Sequence, residues 1–573
     1  MLNNKLTYAC GAFHVLTIAY LLWLTLLPVE VRWAEADFLL LCGSMAFAIV
    51  GLGISLYRKA LQSVTLTDVI VFLWLVYFVG RAYVGGEYAC ATEILKSVSM
   101  GAAYFSLRML LYNTRLPGWM LALGIIVCGS YESLLGIYQV ISGTSLHPQY
   151  LLTGSFPNPG PYSAYPMLAL VVGIVTLFTR KDICNKHRNA LLAMLLPVLI
   201  VLPMTWSRAA FVSIALVLLW VWRRYYWRYR YAVWGMMVVA AIMLYVVKQG
   251  SADGRVIIWR AAIAACHDNV WLGVGIGGFR NAVAEGMEVL HGEGVDLSGA
   301  GVTDYAYNAA VKILTEQGII GLSLVVAATV VAMMRLRCNS QPLYCGMFAV
   351  LLFAMFSYPF ELLPYNILLV LVMAWSESMG GTIIYRCGRV MTVAAVVVLV
   401  LLSCKVSLVI SERYEHDRDY DFIRGMRDEA FIKDYNELLP YEKDNAEFLF
   451  DFGKMLRVQH RYNDSNAMLR QGSRHSADPM FHVLMGNNYN DMRQYRLAEQ
   501  SYRKAFAIMP NRIYPLYQLM LLYEETGDSV QMRAMAQRVL RTKCKVESPA
   551  TREMKEKAKE RLTIKERRLN MRK

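Results

Sequence analysis

The chain has 573 residues, of which 56% are hydrophobic and 18% are charged. A soluble protein of this length would carry more charge, so the composition argues against an ordinary soluble enzyme and predicts a membrane protein. In such a protein the net charge of +15 mostly reflects the orientation of the loops, so nucleic acid is not an expected partner. The 11 cysteines form no CxxC pair or Cys/His cluster that would suggest a zinc site or a disulfide framework.

Apolar runs of about 20 residues, each long enough to cross a bilayer, recur up to residue 410. We therefore expect an all-α fold, a polytopic helix bundle of about 12–13 spans. The approximate span cores are 8–27, 37–56, 64–83, 97–113, 117–140, 162–179, 190–205, 209–222, 231–248, 309–334, 343–360, 364–378 and 390–410. The fourth is amphipathic and the twelfth is short.

The first apolar run follows Lys5 and resembles a signal sequence. The triplet at 34–36 has the small-x-small form of a cleavage site, but it lies far past the run, and the run is long for a signal. We therefore predict a retained first span.

The loops between the predicted spans alternate in charge. One set is basic, at 58–59, 108–115, 180–188, 223–230, 335–337 and 386–389. The other set is neutral or mixed, at 28–37, 141–161, 249–306 and 357–364. The positive-inside rule places the basic set in the cytoplasm and the other set outside. The last span contains Lys405, which can extend to the interface, so everything after this span is expected to face outward as well.

The polar C-terminal part contains a repeat-like segment at 478–511. Small, aromatic and proline residues occupy the offsets of a tetratricopeptide repeat, at Gly486, Tyr489, Ala498, Tyr502, Ala505 and Pro510. We expect a membrane domain at 1–411, tetratricopeptide-like helical repeats at 412–540 and a basic helical tail at 541–573. Such repeats stack into a concave surface that usually binds a polypeptide, although a stabilising role without a ligand would give the same pattern.

The outward segment 249–306 is too long to be an ordinary structureless loop. A helix is predicted after Gly254, with Arg255 and Trp259 on one face and Arg260 on a neighbouring face. Arg208 lies in a short outward turn, and Arg280 follows the glycine-rich stretch. These guanidiniums are suited to bind phosphate, and anchoring to membrane lipid headgroups is the simpler alternative.

Polar side chains also mark the entry to the tenth predicted span. Asp304, Asn308, Lys312 and Glu316 recur every four residues, which would place them on one helix face. The acids of the preceding loop surround His291, but their spacing fits no standard metal site. Asn158 lies between prolines in an outward turn, and "GVGIGGF" at 273–279 lacks the context of a nucleotide site, so a tight turn is expected there.

Six motifs occur in the order seen in O-antigen ligases and related lipid-linked glycan polymerases. They are "GSFPNPG", "WSRAAF", "GRVIIW", "LGVGIGGF", "YNAAVKILTEQGIIGL" and "SYPFELLP", spread over residues 150–375. The chain resembles this family, some members of which also carry a tetratricopeptide appendage.

The resemblance implies an enzyme of the bacterial inner membrane with about twelve spans, an outward active site and a periplasmic C-terminal domain. It implies transfer of a preassembled glycan from a polyprenyl diphosphate to an acceptor, with no cofactor and no metal. Arg208 and Arg255 match the arginines that hold the donor diphosphate. Asn308 and Glu316 fit the family pattern, and Tyr307 stands where the family has a catalytic histidine.

The tyrosine at this position leaves the proton acceptor open. An unperturbed tyrosine titrates near pH 10, unlike histidine. Tyr307 could act as the base if nearby arginines lower its pKa, or it could only orient the acceptor hydroxyl. Asp304, Glu316 and His291 are alternative bases. The chain could also be an inactive member of the family.

The sequence leaves several functions open. The acceptor could be a lipid core, as in a ligase, a growing glycan, as in a polymerase, or a protein hydroxyl. A transporter for lipid-linked glycans would need charges along a path through the membrane, and the polar clusters lie mainly at the outer ends of spans. A scaffold built on the repeats is the remaining alternative.

Overall fold

The computed structural model describes residues 13, 15–27, 33–59, 62–84, 88–114, 116–180, 183–247, 249–297, 299, 301, 303–426, 428–544 and 547–570. Some residues of the predicted elements lie outside the described residues. They are 5, 8–12, 14 and 248 in span regions, 28–32, 115, 181–182, 298, 300 and 302 in loops, and 545–546 and 571–573 in the basic tail. Nearly all the regular structure is helical, which confirms the expected all-α class.

Sixteen helices build the part of the described chain up to Ile423. They are α1 (Val15–Leu24), α2 (Trp33–Tyr57), α3 (Leu66–Val84), α4 (Ala91–Thr114), α5 (Gly118–Ser142), α6 (Pro159–Tyr162), α7 (Ala164–Thr179), α8 (Asn185–Met204), α9 (Arg208–Tyr226), α10 (Arg230–Val247), α11 (Gln249–Ala265), α12 (Phe279–Gly292), α13 (Ala309–Asn339), α14 (Gln341–Ala354), α15 (Leu363–Ser378) and α16 (Arg389–Ile423). Short 3₁₀ turns cover Trp227–Tyr229, His267–Asn269 and Pro359–Glu361.

Nine helical segments of the described chain are long and apolar enough to cross a membrane, as expected of a multi-pass membrane protein. Three further apolar helices are shorter, namely α1, α14 and α15. The helical run Arg208–Val239 counts as one of the nine, although the sequence predicts two spans there. The basic stretch at 223–230 is helical because it contains no glycine or proline that would end a helix.

Loops predicted to be cytoplasmic meet at one end of the bundle. A two-stranded antiparallel sheet pairs β1 (Gln62–Thr65) with β2 (Ile383–Cys387). This small sheet was not predicted. At the same end, Arg335 at the end of α13 contacts Thr382, next to β2. Buried Arg108 also pairs with Asp68, with 3.5 Å between Nε and Oδ1.

Segments predicted to face outward meet at the other end. Tyr414 donates a hydrogen bond to Glu35, and the Ala91 N–H donates to Asp444, at 2.7 Å and 2.6 Å. Glu288 of α12 pairs with Lys504 of the C-terminal part at 3.4 Å. The loops in these contacts thus meet others that are predicted to lie on the same side.

A break in α13 at Gly318 organises this outer end. Gly318 has φ 66° and ψ −168°, so helical hydrogen bonding is interrupted there. The glycine-rich turn fits into the break: the N–H groups of Val274 and Gly275 donate to the carbonyls of Thr315 and Glu316 at 2.8 Å and 3.2 Å. The expected tight turn therefore forms, but against a helix.

Further backbone groups at the break are also paired. The Ile319 N–H donates to the Val270 carbonyl at 2.9 Å. From α3, Tyr77 donates to the Gln317 carbonyl at 2.5 Å, and Arg81 donates to the Gly273 carbonyl at 3.0 Å. Buried backbone groups need such partners, so this network fixes the turn relative to α3 and α13.

The outward segment 249–306 contains two packed helices, α11 and α12. They approach closely at Gly286, where a Cβ atom would lie 1.9 Å from the Ala261 carbonyl oxygen. Helix α11 begins at Gln249, six residues before the start predicted at Arg255. A small core lies between the pair and the loop at 303–307, formed by Ile258, Phe279 and Val283 with their neighbours.

The C-terminal part is built from successive helices. They are α17 (Ile432–Glu442), α18 (Ala446–Val458), α19 (Tyr462–Gly472), α20 (Met480–Asp491), α21 (Tyr495–Ile508), α22 (Tyr514–Glu525), α23 (Ser529–Arg541) and α24 (Pro549–Asn570), after a 3₁₀ turn at Glu429–Phe431. Consecutive helices pack against each other. Gly486 lies against the Tyr502 ring, where a Cβ would come within 2.5 Å, so these two predicted repeat positions are in contact.

Two connections differ from the expected domain limits. Helix α16 runs without a break to Ile423, so the boundary expected at 411 falls inside a continuous helix. The basic segment after Arg541 forms α24, which packs back on the repeat-like helices. Ala558 is fully buried there, and Arg561 pairs with Glu524 at 2.9 Å.

We predict that Gly318→Ala destabilises the protein by about 1–3 kcal/mol, because alanine is strained at this φ and ψ. A Cβ would also lie 2.3 Å from the Trp271 backbone. Thermal unfolding of the purified protein in detergent measures the effect. Gly53→Ala in α2, where no atom lies within 4 Å of the added carbon, is the matched control. Equal unfolding temperatures for the two variants would contradict the proposed importance of the break.

Candidate active site

Arg255 and Tyr307 are in direct contact at the outer end of the bundle. Helix α11 places the Arg255 guanidinium over the Tyr307 ring, with 4.8 Å from its central carbon to the ring centre. Its Nη1 donates to the Phe356 carbonyl at 2.6 Å. In the described part of the chain, no carboxylate lies within ion-pair distance of Arg255. The guanidinium is thus positioned by a ring and a carbonyl, and its charge is not neutralised by an acid.

Arg208 lies beside Arg255. It is the first residue of α9, which is capped by Ser207, whose hydroxyl accepts from the Ala210 N–H at 3.4 Å. Burial and the charge of Arg208 lower the pKa of Arg255 from its ordinary value, because both disfavour a second cation there. The two arginines predicted to bind a diphosphate are therefore neighbours, next to the positive end of a helix dipole.

Three tyrosines form an aromatic cluster next to this pair. The rings of Tyr305 and Tyr358 stack with 3.9 Å between centres and 6° between planes. Tyr307 meets the Tyr358 ring edge to face at 5.4 Å. Burial raises the pKa of Tyr358 above its usual value, so this phenol stays protonated at neutral pH. Tyr358 is buried beneath the other two rings, so it supports Tyr305 and Tyr307 from within.

Tyr307 has a backbone conformation that is uncommon for its residue type. Its φ is 51°, in the left-handed region. Such conformations persist where the surrounding structure holds them, and they cluster at functional sites. The contacts with Arg255 and Tyr358 supply that support.

Asn158 joins the cluster from the outward turn at 153–165. Its amide donates to the Tyr358 hydroxyl at 2.5 Å, and its carbonyl oxygen accepts from the Gly160 N–H at 2.9 Å. The side chain therefore caps the short helix α6 and positions Tyr358 at once. A direct ligand role is not needed to explain why an asparagine stands there.

The polar stripe of the tenth predicted span is divided by the structure. Asn308 caps α13 by accepting from the Ala310 and Val311 N–H groups at 3.0 Å and 3.2 Å. Because the helix begins after this cap, Asp304 is not on its face, contrary to the expectation from spacing. Asp304 instead lies in the preceding loop and pairs with Arg280 at 3.2 Å.

Lys312 and Glu316 remain on α13, in a buried charged cluster. The Lys312 ammonium lies 2.7 Å from the Glu361 carboxylate, and each side chain is 20% exposed. Glu316 and Glu93 also interact with the Lys312 charge. Three carboxylates around one lysine form a polar layer next to the aromatic cluster, since Glu361 is three residues after Tyr358.

The other predicted arginine and histidine have different surroundings. Arg260 is exposed, whereas its neighbour Trp259 donates to the Ala306 carbonyl at 2.7 Å. His291 contacts the Phe506 ring of α21 at 5.6 Å between ring centres. Burial and the charge of Arg538 lower the His291 pKa. The structure thus places His291 in the contact with the C-terminal helices and apart from the contacts that hold Tyr307.

The sequence missed several residues of this site. Tyr358 and Glu361 lie in the motif "SYPFELLP" and Tyr305 lies in the outward segment 249–306, but the sequence assigns no role to their side chains. Nothing in the sequence pointed to Glu93, because it lies in the first turn of α4, far along the chain from the six motifs. As for metals, the described residues hold no group of three or more His, Cys, Asp or Glu side chains arranged as a metal site.

Comparisons with known proteins add no family assignment. No protein-family model matches the chain, and no curated protein matches it either.

Proposed function

We propose that this chain transfers a preassembled glycan from a polyprenyl diphosphate to an acceptor at the outer face of the bacterial inner membrane, as O-antigen ligases do. The observation that carries the proposal is the placement of Arg208 beside Arg255, without a carboxylate paired to Arg255 among the described residues. Two adjacent guanidiniums repel each other, and a bound diphosphate would offset that repulsion.

The arrangement fits the chemistry of the reaction. The bond between the anomeric carbon and the diphosphate oxygen breaks as a bond to the acceptor oxygen forms. Negative charge develops on the departing lipid diphosphate, and fixed guanidiniums stabilise it without reorganisation. Arginine binds such oxygens in a two-pronged way, which also orients the leaving group. The activated donor supplies the driving force, so no nucleotide sugar is required.

The acceptor hydroxyl would bind on the tyrosine side. Tyr307 is the proposed hydrogen-bond partner of that hydroxyl, since it lies between Arg255 and Tyr358. The proton of the acceptor hydroxyl goes either to Tyr307 or to a carboxylate. Asp304 and Glu316 are the acids that the sequence suggests. His291 is the weakest of the suggested bases because its ring packs against Phe506.

The C-terminal helices bear on the class of acceptor. We propose that the C-terminal helices are tetratricopeptide-like, supported by the match of offsets and the contact of Gly486 with Tyr502. They pack on α12, beside the site, which favours a protein acceptor or protein partner as the main alternative to a lipid core. Chain polymerisation is the third version of the same chemistry. Comparing lipopolysaccharide, capsule and glycoproteins of a deletion strain separates these acceptors.

We predict that Arg208→Gln and Arg255→Gln each lower kcat for glycan transfer by about 10²–10³-fold, because one donor to the leaving group is lost. Arg255→Lys keeps the charge but not the planar fork, so it should recover only part of the activity. The assay uses purified protein in liposomes with lipid-linked glycan and acceptor. Arg496→Gln, at an exposed site on α21, is the control for the loss of one charge. Wild-type rates in both glutamine variants would exclude a diphosphate clamp.

Tyr307→Phe separates the two roles of the phenol. If Tyr307 takes the proton, the phenylalanine variant loses nearly all transfer, and Tyr307→His restores it with an optimum at lower pH, since imidazole titrates near neutrality. If Tyr307 only orients the acceptor, Tyr307→Phe raises KM and keeps most of kcat. The pH–rate profiles of the three proteins distinguish these results. Unchanged kcat and KM in the phenylalanine variant would remove Tyr307 from the site.

A further inference from the structure

A second polar pocket lies where the C-terminal helices meet the membrane domain. It encloses about 410 Å³ and is next to Ala89, just before α4. The side chains that give it its character are Lys443, Asp444, Arg470, Gln471, Arg474 and His475. The volume lies within the range of small-molecule sites, about 300–1,000 Å³.

The pocket has an excess of positive charge. Lys443, Arg470 and Arg474 are all exposed to it and to solvent, and within the described chain none of the three forms an ion pair. Arg470 donates to the Tyr489 hydroxyl at 3.3 Å, which is a neutral partner. Three cations around one cavity attract an anion.

The one carboxylate in the lining is already engaged. Asp444 is 5% exposed, and its Oδ1 pairs with Arg413 at 2.6 Å. Its Oδ2 accepts from the Ala91 N–H at 2.6 Å. Asp444 therefore ties the C-terminal part to the start of α4, and its charge is paired with that of Arg413.

The pocket is close to the candidate active site. His475 is buried in the pocket wall, and burial, together with the nearby charge of Arg280, lowers its pKa. The same Arg280 pairs with Asp304, which precedes the Tyr305 ring that stacks on Tyr358. The glycine-rich turn just before Arg280 also packs against the pocket: a Cβ atom on Gly277 would lie 2.7 Å from the Tyr88 carbonyl oxygen, next to Ala89 of the lining.

We propose that the basic pocket is a subsite for an acidic saccharide unit, bearing a carboxylate or phosphate, of the glycan handled at the tyrosine cluster. The inference depends on the proposed function for the identity of the substrate. Lys443, Arg470 and Arg474 bind the anionic group, and His475 and Gln471 offer hydrogen bonds to sugar hydroxyls. The pocket thereby sets a preference for acidic glycans at a distance from the reacting bond.

The test is direct binding to the full-length protein in nanodiscs of phosphatidylcholine. The probes are a hexasaccharide of alternating glucuronate and N-acetylglucosamine and its neutral counterpart, N-acetylglucosamine hexamer. We expect tighter, salt-sensitive binding of the acidic probe. Arg470→Gln with Arg474→Gln should weaken it about tenfold, from two lost charge contacts. Arg496→Gln should not weaken it. Equal binding of the two probes, or no loss in the double variant, overturns the proposal.

Two further arms separate the alternatives. Adding phosphatidylglycerol to the nanodisc should leave binding of the acidic probe unchanged. If this lipid instead weakens probe binding to the wild type, and has no such effect on the Arg470→Gln/Arg474→Gln variant, the pocket binds lipid headgroups. That result would overturn the saccharide assignment. Arg255→Gln should bind the acidic probe normally. If wild-type protein binds the probe through Arg470 and Arg474 but transfers no glycan, the proposed function fails and the subsite stands as an acidic-saccharide site.

Discussion

The broken backbone of α13 at Gly318 holds the outer end of the molecule in place. Because the helix is interrupted there, the carbonyls of Thr315 and Glu316 accept from the glycine-rich turn at 273–275. That turn joins α11, which carries Arg255, to α12, which carries Arg280. The same helix α13 begins just after Tyr307. One backbone junction therefore sets the spacing of the residues on which the proposed chemistry depends.

Electrostatics gives the site its polarity. At one side, Arg208 and Arg255 lie close together, and the pKa of Arg255 is lowered by burial and by its neighbour. At the other side, Lys312 lies among the carboxylates of Glu361, Glu316 and Glu93. The tyrosine cluster thus has the two arginines on one side and a group rich in carboxylates on the other. Such an arrangement suits a reaction in which a leaving group gains negative charge while a hydroxyl loses a proton.

Apolar runs and basic residues are local signals in a sequence. They are enough to predict the helical class, the order of most membrane-capable helices and the grouping of the loops. The break at Gly318 could not be predicted, because "QGIIGL" has the pattern of an ordinary apolar helix and its pairing with 270–275 is long-range. Spacing placed Asp304 on a helix face, but it did not account for Asn308 ending that face as a cap. The stacking of Tyr305 on Tyr358 joins loops about 50 residues apart, and no local pattern announces it.

The central claim is that Arg208 and Arg255 form an anion site for a diphosphate. Calorimetric titration of inorganic pyrophosphate into the purified full-length protein tests it most directly. We expect one saturable, salt-sensitive site that is lost in the Arg208→Gln/Arg255→Gln double variant, whereas the Arg470→Gln/Arg474→Gln variant keeps this site. Equal pyrophosphate binding by the wild type and the Arg208→Gln/Arg255→Gln variant would contradict the account.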